Sequence, residues 1–304
     1  MNLPKTVEIT EVGPRDGFQN LKDWIPTEEK LAVIEQLIAA GFTRVELTSF
    51  VHPKAVPQMA DAAEILSTIK TKYAGQVQCI ALVPNLFGAK RAIELGADEI
   101  TFVISASEAH NVANTKQTVE QSLAAFEEVC KIKGNTIVRL SVATAFTCPF
   151  AGNVPPENVI RIIETGLKAG ANEIMLADTI GTANPLQVEA LLQLLMPTYG
   201  KDFVLHIHDT HGMGLANVLT CLQMGITRFE TSVGGLGGCP FAPGAAGNIA
   251  TEDLANMLQG IGIETGINLE QLIAVASAVR KFSPAPLSGH LQYAKIPAPV
   301  CAQS

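Results

Sequence analysis

The chain has 304 residues, 47% of them hydrophobic and 16% charged, enough for one barrel-sized domain or two smaller ones around a large core. A formal charge of −8 and a pI near 5.3 argue against a nucleic-acid or anionic-membrane surface, so a phosphate-bearing ligand needs a local cluster of basic residues. No apolar run approaches the length of a membrane span, and six scattered cysteines without a C-x-x-C pair are expected to be reduced core thiols of a cytoplasmic protein.

The start, MNLPKTVEITEVG, enters strand-like sequence at once and leaves no room for a signal or transit peptide. The end, CAQS, is not an SKL-type address. The first predicted strand is VEITEV (7–12). After it, Gly-Pro before and Gly behind Arg15 and Asp16 imply a tight loop that fixes both side chains. TEEKLAVIEQLIAA (27–40) has helical periodicity, with Thr27 as its N-cap. AAGFTRVEL (39–47) then reads as a helix end, a glycine able to take positive φ, and a strand. The same signature returns at ELGADEITF (94–102), KAGANEIML (168–176) and QMGITRFET (223–231).

The four glycines, Gly41, Gly96, Gly170 and Gly225, lie 55, 74 and 55 residues apart. A βα unit takes about 30 residues or somewhat more, so each interval holds two units. The strands between them are VQCIALV (77–83), TIVRLSVA (136–143) and FVLHIH (203–208). Helical stretches such as PPENVIRIIETGLKA (155–169) and PLQVEALLQLLM (185–196) carry proline near their starts, where a helix tolerates it. Eight alternations predict an α/β fold, a (β/α)8 TIM barrel over 1–268; an open doubly wound sheet in two halves is the alternative. Residues 269–304 are expected to form a short C-terminal helical extension, NLEQLIAVASAVRKF, and a tail packed on the barrel.

A barrel places its chemistry at the C-terminal ends of its strands. Those ends deliver Arg15, Asp16, Glu46, Asn85, Ser105, Thr144, Asp178, His206, His208 and Glu230 to one mouth. In FVLHIHDTHGMG (203–214), His206 and His208 stand at i and i+2, hence on one face of a strand. They read as a pair sharing a metal ion, with a hydrogen-bonded structural pair as the alternative. Asp16 completes the set from the first strand. Such donors suit Mg²⁺ or Mn²⁺, and ligand type alone leaves zinc open.

The glycine-rich stretch SVGGLGGCPFAPGAAGNIATEDL (232–254) reads as a mobile lid or a phosphate-hugging loop. Cys239 in it is a candidate for proton transfer, with an incidental thiol as the alternative, and Asn248 is a candidate fourth ligand. Thr251 is expected as an N-cap, with Glu252 and Asp253 in the first turn, where acids favour the helix dipole.

The segments EVGPRDGFQN, VELTSFVHPKAVPQMAD, LADTIGT, HIHDTHG and SVGGLGGCPF together resemble those of the 3-hydroxy-3-methylglutaryl-CoA (HMG-CoA) lyase family, metal-dependent TIM-barrel lyases and synthases, over about residues 5–281. R-D-G-x-Q and H-x-H-D occur across the wider superfamily; the Cys-containing glycine loop points to the lyase branch. The resemblance implies a retro-Claisen cleavage of a 3-hydroxyacyl-CoA to acetyl-CoA and a keto acid, acetoacetate for the standard substrate. It implies Asp16, His206, His208 and Asn248 around a divalent metal, Arg15 on the enolate oxygen and Cys239 protonating or shielding the enolate. It also implies Glu46, Asp178 and Glu252 as orienting residues. Coenzyme A is expected across the barrel mouth, with Lys22 a candidate for its phosphates and a solvated lysine as the other reading.

Two positions depart from the family pattern. Ser141 and His211 stand where the family often has tyrosine, both expected near the acyl end of the substrate. A lyase for a 3-hydroxyacyl-CoA with another C3 substituent, a short citramalate-type synthase and a non-catalytic acyl-CoA-binding barrel are the alternatives. The acyl group, the metal, the pathway (leucine degradation among them) and a homo-oligomeric state are left open.

Overall fold

The computed structural model describes residues 3–238 and 247–294. Its strands are β1 (Glu8–Glu11), β2 (Arg44–Ser49), β3 (Gln78–Val83), β4 (Glu99–Ser105), β5 (Ile137–Ala143), β6 (Thr147–Cys148), β7 (Gly152–Asn153), β8 (Glu173–Asp178), β9 (Phe203–Ile207) and β10 (Arg228–Thr231). Eight of them are parallel neighbours in the closed order β1-β10-β9-β8-β5-β4-β3-β2; β6 and β7 form a small antiparallel hairpin outside that ring. The expected (β/α)8 barrel is therefore the fold, and the open-sheet alternative is excluded by the β1–β10 and β1–β2 pairings that close it. The hairpin after β5 was not expected from the sequence.

The helices are α1 (Thr27–Ala39), α2 (Ala62–Lys72), α3 (Leu86–Glu94), α4 (Glu108–Thr115), α5 (Val119–Ile132), α6 (Pro156–Ala169), α7 (Pro185–Tyr199), α8 (Gly214–Met224), α9 (Thr251–Gly260) and α10 (Leu269–Val279). Gly170 and Gly225 end α6 and α8 in the left-handed region, at φ 107° and 89°, as the repeat requires. Helix α10, capped by the Asn268 side chain, packs against α1 and α9. Two caps differ from expectation. Thr27 and Thr251 are each the first helical residue rather than the N-cap. Their hydroxyls are used across the fold instead, Thr27 donating to Asp61 at 3.0 Å and Thr251 to Glu11 at 2.7 Å. Each hydroxyl proton thus goes to a carboxylate distant in sequence, while the residue itself already lies inside the helix.

Apolar side chains from the outward strand faces and the helices build the core, Leu37, Leu47, Phe102, Ile162 and Leu205 among them. The lumen is different. Arg139 on β5 is fully buried and ion-pairs with Glu99 on β4 (2.6 Å), Glu173 on β8 (2.9 Å) and, across the barrel, Glu230 on β10 (2.5 Å). Arg44 on β2 reaches Glu99 at 2.5 Å. Barrel interiors are usually filled by branched apolar side chains. Here a charged layer takes their place, with each guanidinium shared between carboxylates so that no single charge is buried alone. Cys79, Cys130, Cys148 and Cys221 are buried free thiols, in line with the sequence reading; Cys239 and Cys301 lie outside the described residues. Among the described residues, no helix is long and apolar enough to cross a membrane.

Candidate active site and metal centre

β1 ends at Glu11 and the chain passes into one wide turn, Gly13–Gly17, every residue of which is buried. The amides of Arg15, Asp16 and Gly17 all point back to the Val12 carbonyl, which aims the Arg15 and Asp16 side chains over the mouth. Arg15 Nε donates to Glu46 Oε2 and Nη1 to Asp16 Oδ1, both at 2.5 Å. Among the described residues its Nη2 has no protein partner. Two carboxylates thus lock the guanidinium plane while one edge is left for a ligand.

Asp16 is also held from two other sides. Gln19 donates to its Oδ1 at 2.7 Å and Asn248 Nδ2 to its Oδ2 at 2.6 Å. Burial opposes ionisation, but Arg15 and then the two imidazoles hold the carboxyl down at about 2. Burial pushes Glu46 up to about 7 even with Arg15 against it.

His206 and His208 project from β9 and its end onto the same ground. Their Nε2 atoms are 3.0 Å apart, and His208 Nε2 is 3.8 Å from Asp16 Oδ2. His206 Nδ1 bonds Glu230 Oε2 at 2.9 Å. Burial would lower the His206 pKa, but Glu230 outweighs it and raises it. His208 lacks such a partner; burial and then His206 push it down to about 3, so at neutral pH no proton competes for its ring.

Asp16, His206 and His208 each offer one ligand atom within 4.8 Å of the others, and all three are buried. The donors fit a divalent ion: one carboxylate and two imidazoles, beside two buried polar atoms without hydrogen-bond partners, Asn248 Oδ1 and His208 Nδ1. Asn248 presents its amide NH₂ to Asp16, the orientation favoured without a cation. A cation at the carboxylate favours the amide oxygen there instead. The approach is tight: a Cβ on Gly237, at φ 112°, would lie 2.5 Å from Asn248 Nδ2 and 3.1 Å from Asp16 Oδ2.

The other expected site residues are placed as follows. Asp178, raised to about 6 chiefly by burial, accepts from the Thr182 and Ala183 amides and so holds its own loop. Glu252, raised by burial to about 7, accepts from Gly234 N at 2.9 Å and anchors the root of the glycine-rich stretch. Asn20 reaches the same stretch at Gly238 O. Asn85 caps α3, and Ser105 and Thr144 pair with each other at 2.6 Å. Ser141 is buried in β5, while Lys22 and His211 are exposed. Cys239 lies outside the described residues.

Two carboxylates that sequence reasoning gave no role support the site from beneath. Glu230 is one, and the alternation of the last strand placed it only as a strand-end polar group. Glu11 is the other; a Glu at the end of the first predicted strand was its only signal, and the structure buries it fully. Its Oε1 accepts from Gly13 N (2.7 Å) and Val233 N (2.9 Å), and its Oε2 meets the Thr251 hydroxyl at 2.7 Å. One side chain therefore ties the Arg15–Asp16 turn to the root of the glycine-rich stretch and to α9.

Burial raises Glu11 to about 8, so the folded state keeps a proton that the unfolded chain, at about 4.5, has released. Its contribution to stability is fully present below about 4.5 and is lost as pH rises through 8. Glu11→Gln mimics the protonated form. Between pH 5 and 8 the wild type is expected to lose stability relative to Glu11→Gln by up to about 1.4 kcal/mol per pH unit. Urea unfolding across that range measures it; parallel curves for the two chains would count against a protonated Glu11.

Comparison with known proteins places these features. The HMGL-like family model matches residues 6–279. The chain is 44% identical to the hydroxymethylglutaryl-CoA lyase of Bacillus subtilis over 97% of its own length and 99% of that protein. The crystal structure of the B. subtilis HMG-CoA lyase superposes with a TM-score of 0.92, covering 96% of this chain and 99% of that one. An HMG-CoA lyase from Acinetobacter baumannii in complex with coenzyme A and 3-methylmalate, 42% identical, superposes with a TM-score of 0.91 over 95% of both chains. A barrel whose mouth gathers an Arg-Asp turn and an H-x-H strand end, matched nearly end to end by these enzymes, belongs to the HMGL-like family.

Proposed function

We infer that this chain is a carbon–carbon lyase that cleaves 3-hydroxy-3-methylglutaryl-CoA, or a close 3-hydroxyacyl-CoA, to acetyl-CoA and acetoacetate or the matching keto acid. The observation that carries the reading is the meeting of Asp16, His206 and His208 at one mouth, with Arg15 clamped beside them and one guanidinium edge open. In a retro-Claisen cleavage the C3 hydroxyl loses its proton and C3 becomes a carbonyl. The C2–C3 bond electrons pass to the thioester as an enolate, and a proton returns to C2. A bound Mg²⁺ or Mn²⁺ lowers the pKa of a coordinated hydroxyl.

The chain's own residues supply the rest. Asp16, His206, His208 and Asn248 are the proposed ligands. Arg15 offers Nη2 to the oxygen on which enolate charge develops, where a fixed donor acts without reorganising. Glu46 and Asp16 hold that donor in place. Cys239 is proposed to protonate the enolate or shield it. Asp178 and Glu252 act by fixing the loops on either side. An acyl-CoA is the proposed substrate, and the buried free thiols support a cytoplasmic location.

The test is a steady-state screen of purified protein against 3-hydroxyacyl-CoA esters with Mg²⁺ and Mn²⁺. Best turnover of an ester other than HMG-CoA would move the acyl group, the alternative that Ser141 and His211 raise. Condensation of acetyl-CoA with a keto acid as the faster direction would make it a synthase. No turnover in any combination would leave only a binding role. Full activity in Cys239→Ser would remove the loop thiol from the chemistry.

A further inference from the structure

We propose that Glu230 is the positioning residue of the metal centre, setting His206 so that its Nε2 lone pair faces Asp16 and His208, and that Arg139 fixes Glu230 in turn. This rests on the reading that the site holds a divalent ion.

The strand register sets Glu230 of β10 directly beside His206 of β9. Both carboxylate oxygens are committed. Oε2 meets His206 Nδ1 at 2.9 Å, and Oε1 accepts from Arg139 Nη1 at 2.5 Å. Arg139 is itself held from β4 by Glu99 and from β8 by Glu173, so the carboxylate cannot swing. An ionised carboxylate only accepts hydrogen bonds. In the neutral ring the proton of His206 therefore sits on Nδ1, and Nε2 is left as the donor to a cation.

His208 shows what the arrangement adds. Its Nδ1 is buried and has no hydrogen-bond partner, and its Nε2 meets His206 Nε2 at 3.0 Å, so before an ion binds His208 donates its Nε2 proton to His206 instead of offering a lone pair. The two ligands are unequal: His206 is set before an ion arrives, whereas His208 has to adjust. A core counterion for Arg139 would need only one of the two Glu230 contacts. The second contact, to an imidazole aimed at the ligand cluster, points to the positioning role.

Gln at this position has one acceptor for two donors. If its oxygen serves His206, its NH₂ faces Arg139; if it serves Arg139, the imidazole loses its acceptor. Mn²⁺ titration of metal-free protein, followed by calorimetry or by the loss of the free-ion EPR signal, is expected to give a Kd about 10–100-fold weaker in Glu230→Gln than in wild type. Circular dichroism checks that the variant is folded.

A folded Glu230→Gln that binds Mn²⁺ as tightly as wild type overturns the role while leaving the metal reading intact. A wild-type chain that takes up no Mn²⁺ overturns the metal reading and the role with it. Histidine ¹⁵N shifts of metal-free wild-type protein, followed to a pH at which the His206 ring is neutral, need no variant: its one proton is expected on Nδ1, and finding it on Nε2 overturns the proposal.

Discussion

Glutamine at position 15 is expected to lower kcat by about 10²–10³-fold, the usual cost of removing one fixed donor from a developing oxyanion. It is also expected to leave Mn²⁺ affinity unchanged or slightly tighter. The two parts have one cause. Arg15 is a neighbour of the proposed ligand Asp16, with Nη1 2.5 Å from Oδ1. Its positive charge opposes a cation at that carboxylate, so removing it does not cost the metal. What is lost is the Nη2 donor, which no described residue binds. The substitution also leaves Glu46 buried without its partner, and burial already pushes that carboxyl up to about 7. Glu46 is expected to take up a proton in response, which limits the loss of stability that an unpaired buried charge would otherwise bring. Single-turnover kinetics with Mn²⁺ titration on the same preparation separates the two parts. A variant that loses the metal would show that Arg15 shapes the ligand set, and its enolate role would fall.

Alanine at position 208 is expected to act on the other half of the site. It removes one of three clustered donor atoms, and Mn²⁺ affinity should drop by at least about 10²-fold, beyond the 10–100-fold carried by outer partners. The loss should scarcely vary between pH 6 and 8. The His208 ring is held down at about 3 and is unprotonated throughout, so proton competition contributes nothing to the wild-type affinity at this nitrogen. Calorimetric titration with Mn²⁺ at both pH values checks it. Wild-type affinity in the variant would return the two histidines to the structural pair that the sequence left as the alternative.

The chemistry-bearing residues were legible where they lie close together in the chain. Arg15 and Asp16 are fixed by flanking Gly-Pro and Gly, and their turn folds as that punctuation requires. His206 and His208 share a face because strand side chains alternate, whatever the rest of the molecule does. Asn248 was a candidate from its place at the end of the glycine-rich stretch and again from the family resemblance, and the structure sets it 2.6 Å from Asp16. Glu11 and Glu230 were not legible as supports. Each looks like an ordinary polar residue of a strand, and the partners that give it meaning, Val233, Thr251 and Arg139, are distant in sequence. The same blindness covers the two threonines at helix starts, whose hydroxyls donate to carboxylates distant in sequence, Asp61 and Glu11.

By itself, the sequence determined the eight-unit barrel and the end at which its polar groups gather. Both follow from local rules, a left-handed glycine after a helix and the two-residue period of a strand. Only the tertiary structure decided which of those polar groups meet. It drew Arg15, Asp16, Glu46, His206, His208 and Asn248 together, and it turned Asn85, Asp178 and Glu252 to backbone amides of their own surroundings. Closing the sheet is what makes the difference. It brings β1 against β10 and sets β5 across the lumen from it, and no period read along one strand carries the distance across a barrel.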